Sequence, residues 1–329
     1  MVTETARTGA QTTEVREPAP SAKKPKFRRE WAWCWLVVAL PFIGYVIFNI
    51  VPVVISVAAM FTDIEHNQIS TMQWNNFAHF VTFFHDAKYW HALGITLWLT
   101  CAQFLSLLIA LAMATLINTQ VRGSKFFQIL YFVPYICSTV AVSIMWSQIF
   151  SGSEAGVLNS LLGTEINWIG DANWLTWCIF IVILWPAPGY GIVMFTAAFK
   201  GIDPCLYEAA EIDGANAWQR YIRITLPQIA PMTLFLALAG WMSGMATFDQ
   251  VRVLAPITWT GTAGVDDMGL TVAYYTYVEG ITFSNMDYAS VLNWVTAIIT
   301  MAGSFLFLKW RKKTEENIES VQWHVQTEE

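Results

Sequence analysis

Residues 203–231 read DPCLYEAAEIDGANAWQRYIRITLPQIAP, the longest polar interruption in the second half of a strongly apolar chain. The local chemistry predicts two short helices joined by a tight turn. Asp203 is a good N-cap, and Pro204 occupies the first helical position, where its missing N–H costs nothing. Gly214 ends that helix, because glycine turns left-handed without strain. A second helix is expected from Ala217 to Thr225, with Pro227 forcing a new start. Leu206, Ala209, Ala210 and Asp213 share one face of the first helix; Trp218, Tyr221, Ile222 and Thr225 share one face of the second. From pattern alone, this reads as an amphipathic connector lying on a bilayer surface.

The bilayer follows from what flanks that stretch. The chain has 329 residues, 55% hydrophobic and only 13% charged, too apolar for an ordinary soluble domain. Its apolar residues fall into blocks at 33–60, 94–117, 126–150, 174–199, 232–254 and 289–308. Each reaches or exceeds the roughly 20 residues that a helix needs to cross the hydrocarbon. The polar stripe of a buried soluble helix is missing. The expected fold is therefore all-α and integral to the membrane, with about six transmembrane helices in 31–312. Residues 1–30 read as a disordered basic tail and 313–329 as a C-terminal tail.

Charge placement orients the chain. Arg7, Arg16, Lys23, Lys24, Lys26, Arg28 and Arg29 precede the first span, and Arg122 and Lys125 separate the second from the third. Lys200, Arg220 and Arg223 surround the elbow at 203–231, and Lys309, Arg311, Lys312 and Lys313 follow the last span. The alternate loops hold Lys88 and otherwise acids such as Asp63, Glu65, Asp86, Glu154, Glu165 and Asp171. The positive-inside rule puts both termini and the elbow in the cytoplasm. The basic cluster before the first span suits anionic lipid headgroups, not nucleic acid.

Several side chains are candidates for chemistry. Tyr135 and Thr139 stand one turn apart on the third span, and Gly240, Ser243, Gly244 and Thr247 form a stripe on the fifth. Small and hydroxylated faces admit a polar solute, and equally they let helices pack closely. Pro186, Pro188 and Gly189, just after Trp185, should break the fourth span mid-membrane, beside either a wet cavity or a packed neighbour. Asp249 and Arg252 are spaced to pair, as a gate or a structural tie. Among the histidines outside the spans, His79, His85 and His91 recur every six residues, a turn of about 240° on a helix, so they cannot share a face; no metal site is expected. The five cysteines lack metal or disulfide spacing. No Gly-Lys pair exists for an ATP-cradling loop, and no histidine lies within a span to serve a hydrolase. Five of the six blocks contain no charge that could couple an ion.

Glu208-Ala209-Ala210, Gly214, Ile224, Leu226 and Pro227 stand at the spacing of the EAA loop, EAA-x3-G-x9-I-x-LP, and the elbow resembles that loop of ATP-binding-cassette (ABC) importer permeases. From Tyr89 onward the stretches YWHALGITLWLTCAQFLSLLIALAMATLINTQVRGSKFFQILYFVPYICSTVAVSIMW, FDQVRVLAP and MDYAS are similar to the carbohydrate-uptake branch, of the maltose and glycerol-phosphate type. The resemblance covers roughly 33–312. It implies a prokaryotic inner-membrane permease subunit, not itself an enzyme. Glu208, Ala209, Ala210, Asp213, Gly214, Ile224, Leu226 and Pro227 would form its coupling loop. Its implied partners are a sister permease, two ATPase subunits that carry the ATP and Mg, an extracellular solute-binding protein and a sugar. Tyr135, Thr139, Trp185, Gly240, Ser243, Gly244 and Thr247 align with that family's solute contacts. Gly240 and Gly244 replace larger or polar residues there, which leaves direct sugar contact and a maltose-like solute open. A self-sufficient carrier or channel is the alternative.

Overall fold

The computed structural model describes residues 27–119, 123–153, 156–258 and 261–327; the expected disordered tail lies mostly outside them. The described chain is mostly helical, with one two-stranded antiparallel pair, Thr62–Asp63 on Gln73–Trp74. It divides into two units, residues up to Val54 and Ile55–Glu329. The first unit holds the helix Phe27–Tyr45 and a wide π-turn, Val46–Ile50.

Among the described residues, Trp33–Ala59, Ala87–Asn118, Ala172–Lys200, Ala217–Leu254 and Met286–Lys309 are helical and apolar enough to cross a bilayer. Phe126–Ile136 and Thr139–Ile149 make a sixth span only as a pair bent by 96°. The expected straight third span is thus corrected. Pro134 deprives the helix of a donor, the Cys137 N–H turns back to the Pro134 carbonyl, and Cys137 itself is extended before Ser138 takes the N-cap position of the next helix at Thr139. Conversely, the fourth span loses regular bonding around Trp185–Ala187 yet keeps helical dihedrals there, so it runs through as one span. At the far end the helix Met286–Thr327 runs on through most of the C-terminal tail.

Large apolar side chains such as Leu108, Ile129, Phe235 and Leu306 lie more than half exposed. In water such a belt would drive aggregation; in lipid it is the required surface. Inside the second unit, the second span is the shared wall. Its first half packs Tyr89, Ile95 and Leu99 with Leu175, Ile179, Leu270 and Leu292. Its second half packs Ala110 and Ala114 with Ile192, Phe195 and Ile229.

Polar residues tie the first of these clusters together. Asp86 caps the second span by accepting from the Lys88 and Tyr89 N–H groups, and it also takes the hydroxyls of Tyr275 and Tyr288. Burial and this carboxylate both push the Tyr275 phenol far above its ordinary pKa, so it stays a donor. Lys88 reaches across to the Gly261 carbonyl at 2.7 Å. Thr96 Oγ1 accepts from the Val272 N–H, and Thr271 donates to the Thr247 carbonyl. The chain between the fifth and sixth spans is thereby held against the second and fifth.

Candidate functional site

The elbow is built from its own sequence. The Asp203 carboxylate accepts from the Cys205 N–H at 2.9 Å and starts the helix Pro204–Ile212. Gly214 turns the chain at φ +79°, with nothing within 4 Å of where a Cβ would stand. Asn216 and Gln219 then form a reciprocal capping box over Ala217–Arg220, a start signal the sequence reading passed over. Pro227 does not force a new start. A π-turn over Tyr221–Thr225 sends the Leu226 N–H five residues back to Tyr221, so the ladder has already slipped when it meets the proline. Ala217–Leu254 therefore continues as one span.

The elbow is fixed at its inner side and open at its outer side. The Tyr207 and Thr225 hydroxyls bond at 2.8 Å, Tyr221 meets Thr115 of the second span at 3.2 Å, and Arg220 pairs with Glu211 at 3.1 Å. Glu208, Ala209, Asp213, Gly214 and Pro227 are exposed, while Ala210, Ile224 and Leu226 are half-buried. Ile212 and Trp218 are 87% and 69% exposed, large apolar groups on a polar turn. Rigid backing with an uncovered apolar tip is the form of a docking element.

Between the second, third, fourth and fifth spans lies a cavity of about 290 Å³. Tyr135, Thr139, Gly240 and Ser243 line it as expected, although Tyr135 and Thr139 stand on opposite sides of the 96° bend. Trp185, Gly244 and Thr247 do not line it. Trp185 packs edge-on against Trp146, Gly244 lets the fifth span close on Thr100, and Thr247 is buried with its hydroxyl on the Gly244 carbonyl. The small-residue stripe thus does two things: it leaves cavity space at Gly240 and lets helices pack closely at Gly244.

The cavity also gathers residues the sequence reading did not single out: Gln103, Ser106, Tyr190 and Gln250. Tyr135 and Tyr190 stack with ring centres 5.4 Å apart, and the two glutamines add amide donors and acceptors to the hydroxyls of the wall. Lone glutamines inside apolar spans were the available signal, since an amide in hydrocarbon needs a partner. Asp249 and Arg252 form no ion pair among the described residues. Asp249 opens the first turn of a restarted helix, and the Arg252 guanidinium lies over the Tyr277 and Phe248 rings, 5.0 and 5.8 Å from their centres. A tie to the chain beyond the fifth span replaces the expected gating pair.

Several membrane spans around a cavity with a stacked aromatic pair and amides, joined to a braced projecting elbow, define a multi-pass permease. Residues 105–312 match the family described as binding-protein-dependent transport system inner membrane component, and the chain belongs to that family. It is 29% identical over 284 residues to the lactose transport system permease protein LacF of Rhizobium radiobacter, covering 83% of this chain and 91% of that protein. It is 30% identical over 273 residues to the sn-glycerol-3-phosphate transport system permease protein UgpA of Escherichia coli, covering 82% and 90%. Its fold is similar to a chain of a bacterial ABC transporter involved in import of the acidic polysaccharide alginate, with TM-score 0.72, 23% identity and coverage of 87% and 96%. It is an inner-membrane permease subunit of an ABC importer.

Proposed function

We propose that this subunit forms half of a pathway for a neutral sugar or oligosaccharide and is moved by separate ATPase subunits. The observation that carries the solute class is the cavity wall: tyrosines, glutamines, serine and threonine, with no Arg or Lys among its described lining residues. Such a wall satisfies hydroxyls, and stacked rings suit the apolar faces of a sugar. A phosphate or carboxylate would want a cation. That favours a solute like those named for LacF and for AraP, the arabinooligosaccharides permease of Bacillus subtilis, over one like that of UgpA.

The motive part is the elbow. With it and both termini in the cytoplasm, its exposed Ile212 and Trp218 meet a groove on an ATPase subunit that binds ATP and Mg. Closure of two such subunits shifts this elbow and that of a sister permease, and the paired spans rock between inward and outward openings. An extracellular solute-binding protein delivers the sugar. The test is uptake in vesicles. The complete assembly should accumulate labelled neutral oligosaccharide only with ATP, and this chain alone should pass none. Flux through the chain alone would make it a self-sufficient carrier or channel; ATP-driven uptake confined to anionic solutes would overturn the solute class.

A further inference from the structure

At the end of the bundle formed by the loop after the first span, three side chains from separate elements converge. Asp63 comes from the strand Thr62–Asp63, His79 from the helix Ala78–His85, and Asp287 from the start of the sixth span. His79 Nε2 lies 3.1 Å from Asp63 Oδ1 and 3.3 Å from Asp287 Oδ2, and the three ligand atoms lie within 4.8 Å of one another. We propose that Asp63, His79 and Asp287 form a binding site for a divalent transition cation of the zinc class, which clips the loop after the first span to the sixth span.

The two distances from His79 Nε2 are those of a coordination shell. Ligands about 2.0–2.2 Å from a tetrahedral zinc stand roughly 3.4 Å apart. Nε2 is buried and lacks a well-directed hydrogen-bond partner among the described residues, while two carboxylates confront it. A neutral imidazole presenting its lone pair there would be repelled, and two carboxylates with one neutral histidine are matched by a dication.

The ligands are held before any cation arrives. Asp287 Oδ2 accepts from the Ile64 N–H at 3.0 Å and Oδ1 from the Tyr288 N–H at 2.8 Å. Asn67 clamps the same junction, donating to the Gly280 carbonyl and accepting from the Met286 N–H. Asp63 is 62% exposed, which gives an entry path and leaves a coordination position for water. One imidazole with two carboxylates suits zinc or manganese better than the hard alkaline-earth ions.

The test uses the full chain purified in detergent, stripped with EDTA and dialysed against micromolar zinc chloride at neutral pH. Wild type should retain one equivalent of zinc by elemental analysis and unfold at a higher temperature than the stripped protein. His79→Gln should lose the zinc. Asp63→Asn, at an exposed position that leaves the core untouched, should weaken zinc binding about tenfold or more. His85→Gln should change nothing. Absence of stoichiometric zinc in wild type, or undiminished zinc in both Asp63→Asn and His79→Gln, would overturn the assignment. So would a melting temperature that responds to pH between 5 and 8 but not to zinc, which would put a proton at that position.

Discussion

Gly214→Val should reduce ATP-driven uptake by at least about a hundredfold while the protein still inserts and purifies normally. The backbone at Gly214 is left-handed, φ +79°, and nothing stands within 4 Å of an added Cβ. The effect is therefore conformational rather than steric, a cost of roughly 1–2 kcal/mol for an ordinary L-residue there and more for a β-branched one. An exposed turn relieves that strain by rotating the helix Pro204–Ile212 away from the capping box at Asn216. Such a rotation spoils a docking geometry without touching either hydrophobic cluster. Gly214→Asn is the control, because asparagine tolerates this region, and it should keep most of the uptake. Equal activity in the valine and asparagine variants would remove the angle of the elbow from the mechanism.

The second large effect separates two glycines one turn apart. Gly240→Trp should abolish uptake and leave the fold intact, and Gly244→Leu should lower the yield of folded protein. A Cβ at Gly240 meets only Gln103 Cβ at 3.4 Å, and the residue lines the cavity of about 290 Å³, which an indole would fill. A Cβ at Gly244 would lie 2.5–2.8 Å from the Thr100 side chain. Thr100 cannot easily yield, being buried and bonded through its hydroxyl to the Thr96 carbonyl at 2.7 Å. Overpacking of that kind costs roughly 1–3 kcal/mol. Thermal unfolding in detergent and vesicle uptake, measured on both variants, distinguish a plugged path from a spoiled interface. Transport by Gly240→Trp at the wild-type rate would move the solute path elsewhere.

What could be read from the sequence was what local chemistry dictates. Asp203, Pro204 and Gly214 announce a helix start and stop through caps and a φ requirement that depend on no distant residue. Hydropathy likewise located the six blocks. The bend at Cys137–Ser138 was hidden, because Pro134 lies before it and nothing in an apolar run reveals where a weakened helix gives way. The π-turn at Tyr221–Thr225 also lacks a sequence mark, so Pro227 read as a break it does not make. The cavity was half legible: Tyr135, Thr139, Gly240 and Ser243 were found by residue type, but Gln103, Tyr190 and Gln250 meet them only through packing of distant spans. The cluster around His79 escaped the sequence for a related reason. Helical periodicity compared His79 with His85 and His91, whereas its neighbours in space are Asp63 and Asp287, carboxylates from two other elements.

The mechanism stands on the elbow touching an ATP-driven partner, and position 212 reports on this most directly. Ile212 is 87% exposed at the tip, so a photo-reactive side chain there disturbs no packing. Irradiated in an assembly that is transporting solute, it should give an adduct with the ATPase subunit whose yield changes on adding ATP. The same probe at Trp74, in the loop after the first span, should give none. An adduct from position 212 to the solute-binding protein, or no ATPase adduct from that position in a working assembly, would contradict a cytoplasmic lever.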